Sequence, residues 1–185
     1  MASFIFTDDI VSLINNPNFF TNGLYVDKIK NLDFRLSMLE EMHHHVQGTK
    51  IWIFENFKEQ LKDESKAYYS VPFYYKNYQF LMKLTIHTKC DKHEEEEIGL
   101  YIMMRSTPYD AILKWPFINH IITFKICGPN GKQIKKSFSS ENNVSFQRPV
   151  KDQENVAYGY CNFIKTADIN DYLIENNLYI KCQIK

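Results

Sequence analysis

Hydrophobic and polar residues alternate with two different periods along this chain. From residue 49 onward the apolar residues form short runs with a period of two, as in the F-L-M-K-L-T-I-H-T segment at residues 80–88. Turn residues, such as G-P-N-G at residues 128–131, separate these runs, and the combination predicts β-strands. The predicted strands cover residues 51–54, 68–72, 78–88, 98–105, 120–127, 144–146, 158–164 and 178–184. About eight short strands with regular turn signals predict an all-β antiparallel sandwich over residues 49–185.

A helical period precedes the strands. Apolar residues in the segment 24–47 recur at steps of three and four, and they fit the a and d positions of about three heptads. The seam positions are Ile29, Leu32, Leu36, Leu39, His43 and Val46. A helix this short is marginal without a packing partner. Two interpretations remain open, a coiled-coil helix between chains and an amphipathic helix that lies on its own domain.

The first 23 residues form a third region, whose role the pattern does not indicate. Thr7 could cap a short helix over residues 8–14, and an Asn-Pro step would end that helix. The first residues lack a basic start and an apolar run, so we expect no signal peptide. Ala2 stands where N-myristoylation requires glycine, so we expect no such anchor.

Charge and hydropathy narrow the function classes. The chain has 22 basic and 22 acidic residues, so its formal net charge is zero. A neutral chain without a basic stripe gives little electrostatic reason to bind nucleic acid. Its apolar runs are far shorter than the roughly 20 residues that a membrane span needs. We therefore expect no nucleic-acid partner and no membrane insertion.

The four cysteines, Cys90, Cys127, Cys161 and Cys182, are widely separated along the chain. None belongs to a C-x-x-C pair, which excludes a zinc finger or a RING domain within these residues. Isolated cysteines in predicted strands are typical of reduced residues in a cytosolic protein, and we favour that interpretation over a disulfide framework.

Three consecutive histidines at residues 43–45 are candidate metal ligands. Consecutive helical residues point about 100° apart, so the three histidines cannot share one metal ion. In a trimer, copies of His43 could meet on the axis and bind an anion or a metal; the alternative is three solvated histidines.

The sequence has no G-x-S-x-G, H-E-x-x-H or phosphate-loop motif. We expect no enzyme activity, no cofactor and no metal.

Six segments of the β region carry motifs that occur in this order in a known family. They are I-W-I-F-E-N-F at 51–57, N-Y-Q-F-L-M-K-L at 77–84, Y-D-A-I-L-K-W-P-F at 109–117, F-Q-R-P at 146–149, Y-G-Y-C-N-F at 158–163 and L-Y-I-K-C at 178–182. Together they resemble the C-terminal TRAF or MATH domain of tumour necrosis factor receptor-associated factors. The W-P-F and F-Q-R-P motifs are similar to the TRAF branch rather than to meprins, deubiquitinases or cullin-ligase adaptors.

The resemblance implies a trimer, in which a coiled coil of residues 24–47 precedes the sandwich. It also implies a shallow groove at a sheet edge, where an extended peptide adds as a strand. The implied partners are cytoplasmic tails of receptors of the TNF-receptor or interleukin-1/Toll-like type, or their adaptors, together with other copies of the chain. The implied location is cytoplasmic.

The resemblance also implies which residues bind the peptide. The groove arginine of the family falls on Lys83, and the further positions are Thr85, Ala157, Tyr158, Gly159 and Tyr160. Aromatic-glycine-aromatic at residues 158–160 is similar to the branch whose pocket takes an aromatic or acidic side chain, and here Lys83, Tyr158 and Tyr160 would form that pocket. The alternative is that both tyrosines face the core, because residues two apart in a strand share a face.

Two functions are consistent with these expectations. The first is a trimeric cytosolic signalling adaptor that binds short peptide motifs in receptor or adaptor tails. The second is a RING-less tail or regulatory paralogue of a TRAF-type ubiquitin ligase, which oligomerises with full-length members or competes against them.

Overall fold

The structure is a computed structural model that describes residues 29, 31–33, 48–61, 66–88 and 96–185. Nine strands dominate the described residues. They are β1 (Thr49–Phe54), β2 (Ala67–Tyr69), β3 (Phe73–Tyr75), β4 (Tyr78–Thr88), β5 (Glu97–Arg105), β6 (Ile121–Cys127), β7 (Gln133–Ser139), β8 (Tyr158–Lys165) and β9 (Leu178–Ile184). One short helix, α1 (Phe57–Gln60), and three 3-10 turns, Pro129–Gly131, Val144–Phe146 and Thr166–Tyr172, lie between strands.

The strands form two antiparallel sheets. The four-stranded sheet has the order β1-β9-β6-β7, and the five-stranded sheet has the order β2-β4-β5-β8, with β3 pairing to the first part of β4. The predicted all-β antiparallel sandwich is therefore confirmed, and β7 and β8 are each the last strand of a sheet.

The core lies between the two sheets because alternate residues of the central strands are apolar. In β4, Phe80, Met82 and Leu84 point inward and are fully buried. In β5, Leu100 and Ile102 do the same. Burying an aliphatic or aromatic side chain of this size stabilises the fold by about 1.5–3 kcal/mol. These inward positions fix which face of each strand remains for other contacts.

The W-P-F segment closes one end of the core. Phe117 is buried and stacks on the His120 ring at a centroid distance of 4.1 Å. Trp115 follows a loop that contains Asp110. The indole Nε1 of Trp115 donates to the Asp110 carbonyl oxygen at 2.9 Å and so holds this loop in place. The Trp115–Pro116 peptide bond is cis. The segment therefore packs as core and loop structure.

Two local predictions differ from the structure. Residues 144–146, predicted as a strand, form a 3-10 turn, because the Asn143 side chain accepts a hydrogen bond from the Ser145 backbone N–H at 2.9 Å. Strands β3 and β7 were not predicted. The G-P-N-G turn was predicted correctly; it joins β6 to β7, and Gly131 adopts a φ of 75° there.

The predicted coiled-coil helix is described only at residues 29 and 31–33, which are helical. Its seam residues Ile29 and Leu32 are 42% and 61% exposed. The other seam positions lie outside the described residues, as do residues 1–23. Trimerisation therefore stays a prediction. Within the described ranges, none of the helices is long and apolar enough to span a membrane.

The three cysteines within the described residues divide into two groups. Cys127 and Cys182 are buried thiols, and burial raises the pKa of Cys182 far above its ordinary value. Cys161 is exposed and disulfide-bonded. The expectation of reduced cysteines is therefore wrong at Cys161.

Candidate functional site

Strand β8 lies at the edge of the five-stranded sheet and pairs with β5 alone among the described strands. An edge strand presents backbone N–H and C=O groups that can pair with another chain. Many proteins protect such an edge with charged side chains. No charged residue occurs in β8 before Lys165. The start of β8 is therefore an edge that can accept a further strand.

Tyr158 and Tyr160 lie on the inner face of β8. Tyr160 pairs with Leu100 and Tyr158 pairs with Ile102, and both of these β5 residues point into the core. The two tyrosine rings pack on Phe138 of β7, at centroid distances of 5.1 Å and 5.8 Å. Both tyrosines are half-buried, and burial raises the pKa of Tyr160. They fill the gap between the two sheets beside the β8 edge.

Lys83 lies on the opposite, outer face of the same sheet. It pairs with Tyr69 on one side and Tyr101 on the other, and Tyr101 pairs with Gly159. We call Tyr69, Lys83, Tyr101 and Gly159 the outer row. The Lys83 Nζ lies 5.9 Å from the centroid of the Tyr101 ring, within reach of a cation–π contact.

Thr85 lies on the same face of β4 as Lys83, two residues further along the strand, and it pairs with Gly99. The Tyr101 ring lies over Gly99, because a Cβ placed there would be 2.7 Å from the ring edge and the phenol oxygen. Burial raises the pKa of Tyr101, and the neighbouring Thr85 side chain opposes this effect. Thr85 and Tyr101 therefore form one partly buried polar cluster beside Lys83.

The structure does not form the predicted pocket of Lys83, Tyr158 and Tyr160. Residues of adjacent strands that are directly paired share a face, and the pairing puts Lys83 with Gly159 rather than with either tyrosine. The alternative interpretation, in which both tyrosines face inward, describes their observed orientation. The structure thus separates the predicted residues into an outer group and an inner group.

Gly159 holds β8 close to β5. A Cβ at this position would lie 2.3 Å from the Leu100 carbonyl oxygen and 2.7 Å from the Tyr101 Cα, so no side chain fits unless the β5 backbone moves. The missing side chain also leaves the outer row open between the β8 edge and the Tyr101 ring. Ala157, immediately before β8, is half-buried.

Hydrogen bonds between β7 and β8 close the second half of the β8 edge. The Tyr160 hydroxyl donates to the Ser137 carbonyl oxygen at 2.6 Å, and the Lys136 Nζ donates to the Asn162 carbonyl oxygen at 2.5 Å. The Lys136 Nζ also lies 5.3 Å from the Tyr160 ring centroid and 5.5 Å from that of Phe163. Burial lowers the pKa of Lys136.

The pairing of β8 with β5 also becomes irregular at this point. Leu100 pairs with Tyr160, and Ile98 pairs with Ile164, so residues 161–163 lie opposite Gly99 alone. This β-bulge interrupts the regular ladder. Only the part of β8 up to Tyr160 therefore offers a regular edge.

Tyr101, Phe138 and Lys136 contact the predicted residues but were missed from the sequence. For Tyr101 the sequence does carry a signal. Alternation in I-G-L-Y-I predicts that Tyr101 lies on the other face of the strand from Leu100. Phe138 and Lys136 lie in β7, the strand that was not predicted.

No group of three histidine, cysteine, aspartate or glutamate side chains among the described residues could hold a metal ion. The three histidines at residues 43–45 lie outside the described part of the chain.

Comparison with known proteins gives a consistent result. The family described as TRAF/meprin, MATH domain matches residues 65–181. Human TNF receptor-associated factor 2 is 26% identical over 184 residues, which covers 94% of this chain and 36% of that protein. Mouse TNF receptor-associated factor 1 is 25% identical over 162 residues, which covers 82% of this chain and 39% of that protein. The chain therefore spans well under half the length of these relatives.

A solved structure of TRAF5 from Notothenia coriiceps shares the fold. It superposes with a TM-score of 0.68 at 22% sequence identity, covering 96% of this chain and 92% of the TRAF5 chain. The family match extends over more than half of the chain, and the relatives are TNF receptor-associated factors. The chain belongs to the TRAF/meprin MATH-domain family, as a C-terminal domain of the TRAF type.

Proposed function

We propose that this chain is a signalling adaptor that binds short extended peptides by strand addition to the start of β8. The observation that carries the proposal is the free, uncharged edge of β8 up to Tyr160. In this mode, backbone hydrogen bonds supply affinity and the flanking side chains supply specificity. The matched family is one of interaction domains, which agrees with a binding function rather than catalysis.

A peptide strand added to β8 has an outer and an inner face, and each face contacts a different set of side chains. On the outer face, a long peptide side chain passes over Gly159 to the Tyr101 ring and the Lys83 ammonium group. An acidic side chain fits there, because the lysine attracts it and the rest of the row is uncharged. On the inner face, Tyr158 and Tyr160 offer ring faces and a phenol to an aromatic side chain. Ala157 and Thr85 border the site at its two ends.

The trimer and the location form part of the same proposal. Single strand-addition contacts are weak, and a trimer joined through the 24–47 helix would engage several receptor tails at once, which raises the overall affinity. The relatives are named as TNF receptor-associated factors. We therefore propose cytoplasmic tails of TNF-receptor or interleukin-1/Toll-like type, or their adaptors, as partners of a cytosolic homotrimer.

A peptide titration tests the site. Labelled peptides with acidic and aromatic residues at alternate positions are titrated against the wild type, Lys83→Ala and Tyr101→Ala by fluorescence anisotropy. We expect both variants to weaken acidic peptides severalfold or more. Tyr74→Ala, on the exposed side of β3 at the far edge of the sheet, is the matched control and should bind normally. Equal binding by all four proteins would refute the proposed site.

Light scattering tests the trimer separately. The wild type should have three times the mass of the single chain, and Leu36→Glu, which places a charge in the seam, should dissociate it while the sandwich stays folded. A wild-type monomer at micromolar concentration would contradict the trimer but leave the β8 site standing.

A further inference from the structure

A cavity of about 370 Å³ lies at the end of the sandwich from which β8 starts. One of its two loops follows β5 and the other precedes β8. The Ser106 backbone N–H donates to the Gln153 carbonyl oxygen at 3.1 Å, and the Asp152 N–H donates to the Ser106 Oγ at 2.8 Å, so hydrogen bonds hold the loops together. We call this space the end cavity; its polar lining is Ser106, Thr107, Asp110, Arg148, Lys151 and Asp152.

The end cavity has two cations without a partner among the described residues. Arg148 and Lys151 are exposed, and neither forms an ion pair or a hydrogen bond within the part of the chain that the structure describes. Asp110 is buried, and its two carboxylate oxygens accept hydrogen bonds from Thr107 at 2.8 Å and 3.0 Å, which stabilise its charge within its own loop. Asp152 is then the only unpaired acid of the described lining. The unpaired groups are therefore two cations and one carboxylate.

The free edge of β8 leads to the end cavity. Residues 153–157 continue the line of β8 along the end of β5, since the Asn155 N–H donates to the Met104 carbonyl oxygen at 2.8 Å and Glu154 forms a β-bridge with Arg105. The side chains of this bridge also form an ion pair at 3.6 Å, so the stretch adds no unpaired charge. Extended residues advance about 3.3 Å each, so the cavity begins roughly 20 Å from the outer row.

We propose that the end cavity binds a second acidic side chain of the peptide that adds to β8, about seven positions from the acid that faces Lys83. The inference rests on the proposed function, because the peptide must first pair with the β8 edge. The two cations attract a carboxylate, and the planar guanidinium of Arg148 can bind it through two parallel hydrogen bonds. A carboxylate suits the cavity better than a phosphate dianion, since Asp152 repels the larger charge more strongly.

Five labelled peptides test the proposal by fluorescence anisotropy at about 0.15 M salt, which screens distant charges. All carry the acidic and aromatic residues of the β8 titration, and the first has no further acid. Two others have a glutamate seven positions before or after the first acid, and the last two have it three positions before or after. We expect one seven-position peptide, chosen by the strand direction, to bind about threefold more tightly than the first, the gain of an exposed ion pair. The three-position peptides should bind like the first.

Two double variants locate the gain. Arg148→Gln with Lys151→Gln should abolish it and leave binding of the single-acid peptide unchanged. Lys58→Gln with Lys185→Gln removes the same charge from exposed positions elsewhere and should keep the gain. Equal losses in both double variants, or an equal gain from the three-position peptides, would overturn the proposal, because general attraction would then be sufficient.

Asp152→Asn tests the sign of the interaction. Asp152 has a φ of 61°, and asparagine tolerates this conformation, so the variant should fold normally. Removing the negative charge should increase the affinity for the seven-position peptide by about twofold and leave that for the single-acid peptide unchanged. A decrease in affinity would overturn the proposal.

Folding is checked in the same samples. Arg148 and Lys151 form no hydrogen bond within the described residues, so their double variant should melt at the temperature of the wild type. If it melts earlier, Arg148→Gln alone replaces it, and an undiminished gain in that variant would overturn the proposal. Normal binding of the single-acid peptide without any gain refutes only this inference, whereas loss of all peptide binding by the wild type refutes the proposed function as well.

Discussion

Strands β7 and β8 are both edge strands, and they meet along one side of the sandwich. They differ in the charged residues that they carry at these edges. β7 carries two consecutive lysines, and one of them, Lys136, occupies an inward position between Ile134 and Phe138. An inward-pointing charge is a recognised way to protect an edge from pairing with other chains. β8 has no charge before Lys165 and offers tyrosine and glycine instead.

The contrast shows how one edge can protect another. Lys136 belongs to β7, but its Nζ donates to a carbonyl oxygen of β8, at Asn162. The Tyr160 hydroxyl makes a second connection to β7, at Ser137. The second half of β8 is therefore closed by its neighbour, while the first half stays open. Four substitutions and one change of pH test this division, in order of decreasing effect.

Removing the ring that joins the two strands should have the largest effect. Phe138→Ala deletes contacts with Phe124, Tyr158 and Tyr160, and we expect it to lower the free energy of unfolding by about 3 kcal/mol. Urea denaturation measures the change. Ser139→Ala, at an exposed position of the same strand, should stay within about 0.5 kcal/mol of the wild type. A loss below about 1 kcal/mol for Phe138→Ala would show that β7 and β8 are not joined through this ring.

Adding a methyl group at Gly159 should have the next largest effect. In Gly159→Ala the new Cβ meets the Leu100 carbonyl oxygen, and we expect a destabilisation of about 1–3 kcal/mol together with weaker peptide binding. Thermal denaturation and the peptide titration measure the two effects. Val156→Ala, which shortens an exposed side chain just before β8, is the control. Unchanged stability of Gly159→Ala would mean that β8 does not need its close approach to β5.

Loss of the Tyr160 hydroxyl should have a moderate effect. Tyr160→Phe keeps the ring but leaves the Ser137 carbonyl oxygen without this donor, so we expect a loss of about 1 kcal/mol. Hydrogen exchange at the β8 amides should increase near residue 160. Tyr69→Phe, whose ring is 53% exposed, should change neither quantity. Unchanged exchange in Tyr160→Phe would contradict the closure of this half of the edge.

Replacing the inward charge should change association more than stability. Lys136→Met keeps an unbranched apolar stem but removes the donor to Asn162, so we expect a stability change of at most about 1 kcal/mol and increased self-association through the opened edges. Sedimentation at increasing concentration measures this association. Lys135→Met removes the same charge from the outer face and should not associate in this way. If both variants associate equally, net charge rather than the position of Lys136 protects the edge.

The smallest effect concerns pH. Burial lowers the pKa of Lys136 from its ordinary value of 10.5, although Glu97 opposes this. Between the lowered pKa and 10.5 the unfolded chain binds more protons than the folded chain, so the stability of the wild type should rise with pH in that window. The rise should be missing from Lys136→Met. Denaturation of both proteins at about pH 8 and pH 10 measures the difference, and parallel curves would contradict the burial of this lysine.

The sequence predicted most strands because their inward residues are uniformly apolar, as in β4 and β5. It missed β7 because Lys136 occupies an inward position, so the alternation of Q-I-K-K-S-F-S does not appear in the hydrophobic pattern. The 144–146 turn was mistaken for a strand, since three residues are too few for their period to distinguish the two, and only the Asn143 contact decides.

The candidate site was predictable in part for a similar reason. Alternation shows that Tyr158 and Tyr160 share a face of β8. Whether that face points into the core or outward depends on their pairing with Leu100 and Ile102 of β5. No pattern within β8 contains that information. The resemblance identified Lys83 as a groove residue, but only the strand register shows that Tyr101 is its neighbour.

The bulge at residues 161–163 has a consequence for how partners of such a domain could evolve. If peptides add to β8 as proposed, a regular ladder can extend over only a few residues before the bulge interrupts it. A recognition sequence of that length arises in an unstructured tail by one or two point mutations. Unrelated proteins could therefore acquire the same docking sequence independently, and they would share this domain through convergence rather than common descent.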